Sequence, residues 1–279
     1  MPVSLRWMSA VLIVAFSITA CGMAEDNLAI VANAPGTFAV GEPQRLMVGL
    51  VDDETNSFLA SPDLPVTAVL TAPDEQETEV EAEFMWTVPD EVGLYLVRAT
   101  FDQEGTWWVR LQPDGLGATP AAALTVSATD PVPGLGDPAP AVTTRTLADN
   151  PIEEISSDDD PDPALYEMSL DTALANGQPT VVVFATPAFC MSQTCGPMLD
   201  QVKAVATNHP DANFLHVEIY ENLDATDLND LVVVPAVSEW GLPSEPWVFV
   251  VDGNGTISAR FEGAMLEGEL ESALEAVGA

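Results

Sequence analysis

At 279 residues, 47% of them apolar and 18% charged, the chain is long enough for two ordinary domains and too apolar to be disordered. Seven Lys and Arg stand against 44 Asp and Glu, a formal net charge of −37, and Lys203 is the only lysine. A surface of that sign repels phosphate backbones and anionic head groups, which excludes nucleic acid as a partner. This acidity reads either as a match for a cationic partner or metal or as a solvated surface suited to salty surroundings, and because the acids are spread along the chain rather than gathered into a site, the second reading is favoured.

The chain opens with Arg6, an apolar run over residues 8–18 too short for an easy membrane span, and small residues after it. This is the layout of a secretory targeting segment. Directly after the run, Ile18-Thr19-Ala20-Cys21 resembles the lipobox of bacterial lipoproteins. That resemblance implies removal of residues 1–20, lipidation of Cys21, and an extracytoplasmic protein anchored to the bacterial cell membrane. The alternative is an ordinary secretory signal cleaved nearby. Two acyl chains on Cys21 would hold stably, since each buried CH₂ contributes about 0.8 kcal/mol and one chain alone is marginal. With Cys21 so used, Cys190 and Cys195 are the only cysteines left to pair in an oxidising compartment.

Residues 27–128 show a period of two, with turn signals at short intervals. Leu46, Val48 and Leu50 alternate with other residues, as do Val80, Ala82, Phe84, Trp86 and Val88, then Tyr95, Val97, Ala99 and Phe101, then Trp107, Val109 and Leu111. With Leu28 to Val31, Val66 to Leu70 and Ala122 to Val126, about seven strands are predicted, which reads as a β-sandwich. The step Gly93-Leu94-Tyr95 resembles the tyrosine corner of immunoglobulin-like domains, in which the phenol ties the chain back to a neighbouring backbone. Of the adjacent Trp107 and Trp108, strand alternation sends the first into the core and leaves the second as a hint of an interface.

Residues 129–163 change character, with Asp130-Pro131, Asp137-Pro138 and a run from Asp158 to Pro163. Proline and like charges predict an extended acidic linker, reaching on the order of 100 Å at ~3.1 Å per residue. Asp158, Asp159, Asp160 and Asp162 lack the glycine and distal glutamate of a calcium loop.

From residue 164 to 279 strands and helices alternate. Leu170 to Asn176 predicts a short helix; Thr180 to Ala185 is an apolar, β-branched run suited to a strand covered on both faces; Leu199, Val202, Val205 and Ala206 fall at helical spacing. Asn213 to Tyr220 predicts another strand, Trp247 to Val251 and Thr256 to Phe261 flank the turn Asp252-Gly253-Asn254-Gly255, and Leu266, Leu270, Leu274 and Val277 stripe a last helix.

A cysteine pair thus lies between the first strong strand of this unit and its helix. Val181 to Thr186 leading to Phe189-Cys190, Cys195-Gly196-Pro197 opening the helix, Glu245-Pro246 before a strand and Glu262-Gly263 before the last helix resemble the thioredoxin fold. Most closely they resemble the extracytoplasmic TlpA-like thioredoxins, over about Ser169 to Val277. The predicted architecture is therefore an N-terminal immunoglobulin-like sandwich and a C-terminal α/β thioredoxin-like unit. The resemblance implies a disulfide cycling between Cys190, the exposed attacking thiol, and Cys195, the resolving one. It also implies a cis-proline at Pro246 that, with Glu245 and Phe189, meets the client. Partners would be protein thiols or disulfides of the cell envelope, with no cofactor. A helix N-terminus lowers thiol pKa, and distant acids are screened beyond about 8 to 10 Å at ordinary salt, so the helix end should prevail.

The spacer departs from the family. Thioredoxins place two residues between the cysteines, whereas Met191-Ser192-Gln193-Thr194 places four here, which leaves open which sulfur sits at the helix end. Two other readings stay open. Soft thiolates favour Cu(I), with Met191 or Met198 as a thioether, in the manner of Sco-type copper chaperones, but those use a three-residue spacer and a distant histidine. Here His209 and His216 read as structural residues, and four zinc ligands cannot be found. Alternatively the pair is an inert staple in a binding module, although so short a loop restrains the unfolded chain only modestly. Phosphate-binding, HExxH and serine-elbow motifs do not occur.

Overall fold

The computed structural model describes residues 28–32, 38–55, 57–88, 91–190 and 192–279; the expected targeting segment, Cys21 and Met191 lie outside the described residues. The first part of the chain forms β1 (Leu28–Ala32), β2 (Phe38–Ala39), β3 (Pro43–Asp52), β4 (Ser57–Phe58), β5 (Val66–Thr71), β6 (Glu77–Val88), β7 (Val92–Thr100), β8 (Gly105–Pro113) and β9 (Ala122–Ser127). All seven sequence-predicted strands are present, and β2 and β4 are two-residue additions with no periodicity to reveal them.

These strands make one continuous sheet in the order β1-β3-β7-β6-β5-β8-β9-β2, with β4 on the edge of β3, rather than two separate sheets. The join is β6, whose residues Val80 and Ala82 pair with β5 while Phe84 and Met85 pair with β7. Twelve residues let one strand cross from one layer to the other, and the sheet curls around a core that includes Leu46, Leu50, Leu70, Val97, Phe101 and Leu111. The Tyr95 hydroxyl accepts from Ser61 N–H at 3.2 Å and donates to the Leu64 carbonyl at 3.0 Å. That is the backbone tie expected of a tyrosine corner. Trp107 is buried at 5% exposure and Trp108 is 45% exposed, as alternation requires.

The second part comprises α1 (Ile152–Ile155), α2 (Leu170–Ala175), β10 (Thr180–Ala185), α3 (Cys195–Ala206), β11 (Asn213–Glu218), α4 (Pro235–Glu239), β12 (Trp247–Val251), β13 (Ile257–Glu262) and α5 (Glu269–Val277). Its sheet runs β11-β10-β12-β13, with β10 parallel to β11 and antiparallel to β12, and β12 antiparallel to β13. Two central strands, β10 and β12, are buried at every position, which is why Thr180 to Ala185 and Trp247 to Val251 show no polar alternation. Helices α3 and α5 cover one face, through Leu199, Val202, Leu270 and Leu274. The other face packs on Leu170, Ala173 and Trp240.

Residues 129–163 differ from the extended linker expected of them. Val132 is buried against the smaller sheet and Ile155 in its α3 side. Ala139 N–H bonds to the Gly255 carbonyl at 2.9 Å, Leu147 N–H to Tyr166 at 3.0 Å, and the Trp240 indole donates to Pro140 at 3.1 Å. The prolines keep the segment locally extended; its scattered apolar residues are enough to lay it along the folded unit. Lys203 on α3 secures it further, bonding Asp158 at 2.8 Å.

The two sheets also meet. Met47, Met85, Leu94 and Leu96 on the outer face of the curled sheet bury against Ala264 in the turn after β13. Arg45 and Arg98 of the curled sheet both bond the Glu269 carboxylate of α5 at 2.5 Å.

Candidate functional site

The β10 strand ends at Ala185, deep in the sheet, and delivers Thr186 to Cys190 to its C-terminal end. There Cys190 and Cys195 form a disulfide, their Cα atoms 6.0 Å apart. Cys195 is the first residue of the twelve-residue helix α3, and it is fully buried; Cys190 is partly exposed. The open question of which sulfur sits at the helix end has a geometric answer: Cys195 opens the helix, and its backbone N–H points at Cys190 Sγ, 3.3 Å away. That N–H has no intrahelical acceptor, so the helix dipole and an unpaired donor both act on the outer sulfur. Pro197 sits in the same first turn, where its missing N–H costs nothing.

The four-residue spacer is accommodated at Gln193, whose φ of 61° lies in the left-handed region that non-glycine residues rarely adopt. Ser192 bridges the turn, its hydroxyl 3.2 Å from Cys190 Sγ and 2.9 Å from the Thr194 hydroxyl. Spacing alone signalled that these residues must bulge. It did not say that two hydroxyls would line the bulge.

The Glu245–Pro246 peptide is cis. Since Trp247 pairs with Phe184 in antiparallel register, Pro246 lies level with Ala185, at the end of the sheet from which the cysteine loop leaves. Tyr220 links the other two residues assigned to this face. Its ring meets Phe189 edge-on at 6.1 Å, and its phenol pKa is raised by burial and by the nearby charges of Glu245 and Glu218. Burial likewise raises the carboxyl pKa of Glu245. Phe189, Tyr220, Glu245 and Pro246 therefore gather around the cysteine loop.

Beneath the loop lie groups that the sequence did not single out. Glu218 closes β11 with a buried carboxyl. Its Oε2 accepts from Ser157 N–H at 2.9 Å and from the Ser157 hydroxyl at 2.5 Å, and its Oε1 accepts from Ile219 N–H at 3.0 Å. Burial raises its pKa despite these bonds. The Ser157 oxygen also accepts from Ala188 N–H at 3.3 Å, joining the former linker to the cysteine loop. His216, two positions earlier on β11, is engaged at both ring nitrogens: Nδ1 is 2.6 Å from the Tyr166 hydroxyl and Nε2 is 3.1 Å from the Ala185 carbonyl. Burial lowers its pKa to about 4, keeping it neutral. A signal for this network existed only in hindsight, in the polar residues at alternate positions of an otherwise apolar β11.

A groove of about 300 Å³ runs beside the loop, lined by Ile152, Ser156, Asp158, Ala188, Phe189 and Leu223. A second cavity, of about 250 Å³, lies along the outer edge of β11, where Thr144, Arg145 and Ile155 cover it. Among the described residues no three His, Cys, Asp or Glu side chains are grouped to hold a metal ion. No helix among them is long and apolar enough to cross a membrane.

No protein-family model matches the chain, and no curated protein does. Solved structures similar to it include a filamin domain of Lin-41, at 17% identity over 39% of this chain and 100% of that one, with a TM-score of 0.27. They include a thiol:disulfide interchange protein of the thioredoxin family from Chlorobium tepidum TLS, at 15% identity over 52% and 99%, with a TM-score of 0.36. A third is the native conformation of E. coli alpha-2-macroglobulin, at 14% identity over 88% of this chain but 13% of that one, with a TM-score of 0.28. The chain is a mostly β protein with one curled sheet and a smaller mixed sheet, carrying a disulfide at a helix N-terminus.

Proposed function

We propose that the chain is an extracytoplasmic thiol–disulfide oxidoreductase, held to the membrane through a lipid on Cys21 and acting on protein thiols or disulfides of the cell envelope. One observation carries the reading: a bonded cysteine pair whose outer member is partly exposed and receives the first N–H of α3, while the inner member is buried. A disulfide that only stapled the loop would need neither the exposure nor the donor.

In the reducing direction the Cys190 thiolate attacks one sulfur of a client disulfide. The client S–S bond breaks, its other sulfur leaves as a thiolate that takes up a proton, and Cys190 is joined to the client in a mixed disulfide. Cys195, deprotonated, then attacks Cys190 Sγ. The mixed bond breaks, the second client sulfur leaves, and two electrons have passed to the client as the Cys190–Cys195 bond reforms. Oxidation of a client dithiol is the same sequence reversed, and the reduction potential sets the direction. The lipobox-like Ile18 to Cys21 supports the anchor, and an extracytoplasmic site would lie where disulfides persist.

The test is the redox equilibrium of the full chain against glutathione. A two-electron couple is expected, with the reduced Cys190 thiol titrating below the ordinary value of about 8.5. A Cys195→Ser variant should trap clients on Cys190, and Cys190→Ser should not, because the buried sulfur cannot reach them. Absence of any measurable couple would overturn the reading.

A further inference from the structure

We propose that the loop between β11 and α4 is a docking surface for a polypeptide client that is apolar beside its cysteine and cationic beyond it. The proposal rests on the thiol–disulfide reading above and adds to it the class of client.

The loop is preformed. Tyr220 pairs with Val233, and Glu221 N–H bonds to the Val232 carbonyl at 2.8 Å. The Asn222 side chain pins the neck, donating to the Asp230 carbonyl at 2.8 Å and accepting from Val232 N–H at 2.7 Å. At the tip Asp227 accepts from Asn229 N–H at 2.9 Å. So held, the loop presents Leu228, Val232 and Val233 at 57%, 50% and 47% exposure. Among the described residues these are three of the eight exposed large apolar side chains, gathered within six positions. Such clustering distinguishes an interaction surface from scattered surface hydrophobics.

The patch is continuous with the disulfide. Cys190 follows Phe189, Phe189 meets the Tyr220 ring, and Tyr220 pairs with Val233. A client cysteine at Cys190 would therefore lay its apolar neighbours along this path.

Charge selects the rest of the client. The loop carries Glu221, Asp224, Asp227 and Asp230, and the chain has no Lys or Arg between Lys203 and Arg260. Arg145, which reaches the loop, is engaged with the Glu221 carbonyl at 3.0 Å, and Lys203 is engaged with Asp158 and Asp200 at 2.8 Å. The backbone bond from Asn229 holds the Asp227 carboxyl below its usual pKa, so it stays ionised. An acidic client would be repelled, and a second copy of this chain would bring a net charge of −37 against its like.

The test is binding of three fluorescent, cysteine-free ten-residue peptides to the full chain: Leu/Lys, Ser/Lys and Leu/Glu. The Leu/Lys peptide should bind at least about tenfold tighter than either other. Its affinity should fall about five- to tenfold in Asp224→Asn/Asp227→Asn/Asp230→Asn, where Asn keeps the turn acceptors. A similar fall is expected in Val232→Ser/Val233→Ser. A control of equal charge change on the curled sheet, Glu79→Gln/Glu81→Gln/Glu91→Gln, should weaken binding less than about twofold. Equal losses in both charge-neutralised variants, or equal binding of Leu/Glu, would overturn the proposal. So would concentration-dependent dimerisation abolished by Val232→Ser/Val233→Ser. Reduction of a small aromatic disulfide by the unaltered protein is measured alongside: its failure counts against the redox reading, while the cysteine-free peptides judge the docking surface by itself.

Discussion

Replacing Glu269 with Gln should loosen the junction between the two sheets. The Glu269 carboxylate begins α5, accepts Leu266 N–H at 2.7 Å and bonds Arg45 and Arg98, one from each of two strands of the curled sheet. Arg45 and Glu269 are 13% and 14% exposed, while Arg98 is 46% exposed, so only the first pair is well shielded from solvent. Arg45 keeps its bond to the Ala264 carbonyl and its place over the Phe261 ring in the variant. Loss of one shielded and one exposed charge-assisted bond, with a few tenths from the helix dipole, comes to about 2 to 3 kcal/mol. With m near 3 kcal/mol/M, the urea midpoint followed by tryptophan fluorescence should fall by about 0.7 to 1 M at pH 7. Burial alone would raise the Glu269 pKa, but the bonds and charges of Arg45 and Arg98 outweigh it and hold the carboxyl below its usual 4.5. A depressed carboxyl stabilises fully above the unfolded value and loses that contribution as pH falls through the folded one. The difference between wild type and Glu269→Gln should therefore fade below pH about 4.5. A midpoint shift under about 0.2 M, or one of equal size at pH 7 and pH 3, would refute this account of the junction.

Other outcomes follow from the buried groups. His216 binds its proton at about 4 when folded and at 6.5 when unfolded; stability should thus drop by about 3 kcal/mol as pH falls from 6.5 to 4, at 1.36 kcal/mol per unit. His216→Phe should abolish that slope in pH-dependent urea unfolding. Glu218 works in the opposite sense, because its raised folded pKa makes ionisation costly as pH rises above 4.5; Glu218→Gln should flatten stability on that side in the same series. Trp240 is fully buried, packs on Phe184 and Phe249, and donates to Pro140; Trp240→Ala should cost about 3 to 5 kcal/mol by calorimetry and free residues 138–142 to exchange their amide hydrogens. Tyr95→Phe removes the ties to Ser61 and Leu64 and should cost about 1 to 3 kcal/mol by urea unfolding.

Local pattern alone determined the longer elements, though not β2, β4, α1 or α4. Period-two alternation located seven strands of the curled sheet, unbroken apolar runs located β10 and β12, and helical spacing located α3 and α5, because each pattern reports which faces of one element are buried. The cysteine pair was legible for the same reason: it lies at a strand-to-helix junction set by neighbours in sequence. Tertiary structure decided what distant segments do to one another. Met47 and Met85 fall on faces that alternation assigns to solvent, and they are buried because Ala264, some two hundred residues on in the chain, covers them. Prolines and acids in residues 129–163 predict a free tether, yet Val132, Ile155 and Ser157 dock it on the smaller sheet and beneath the cysteine loop. Composition reports a segment's own conformational preference, whereas docking depends on apolar area and hydrogen-bond partners supplied by other parts of the chain, and these become visible only once the chain is folded.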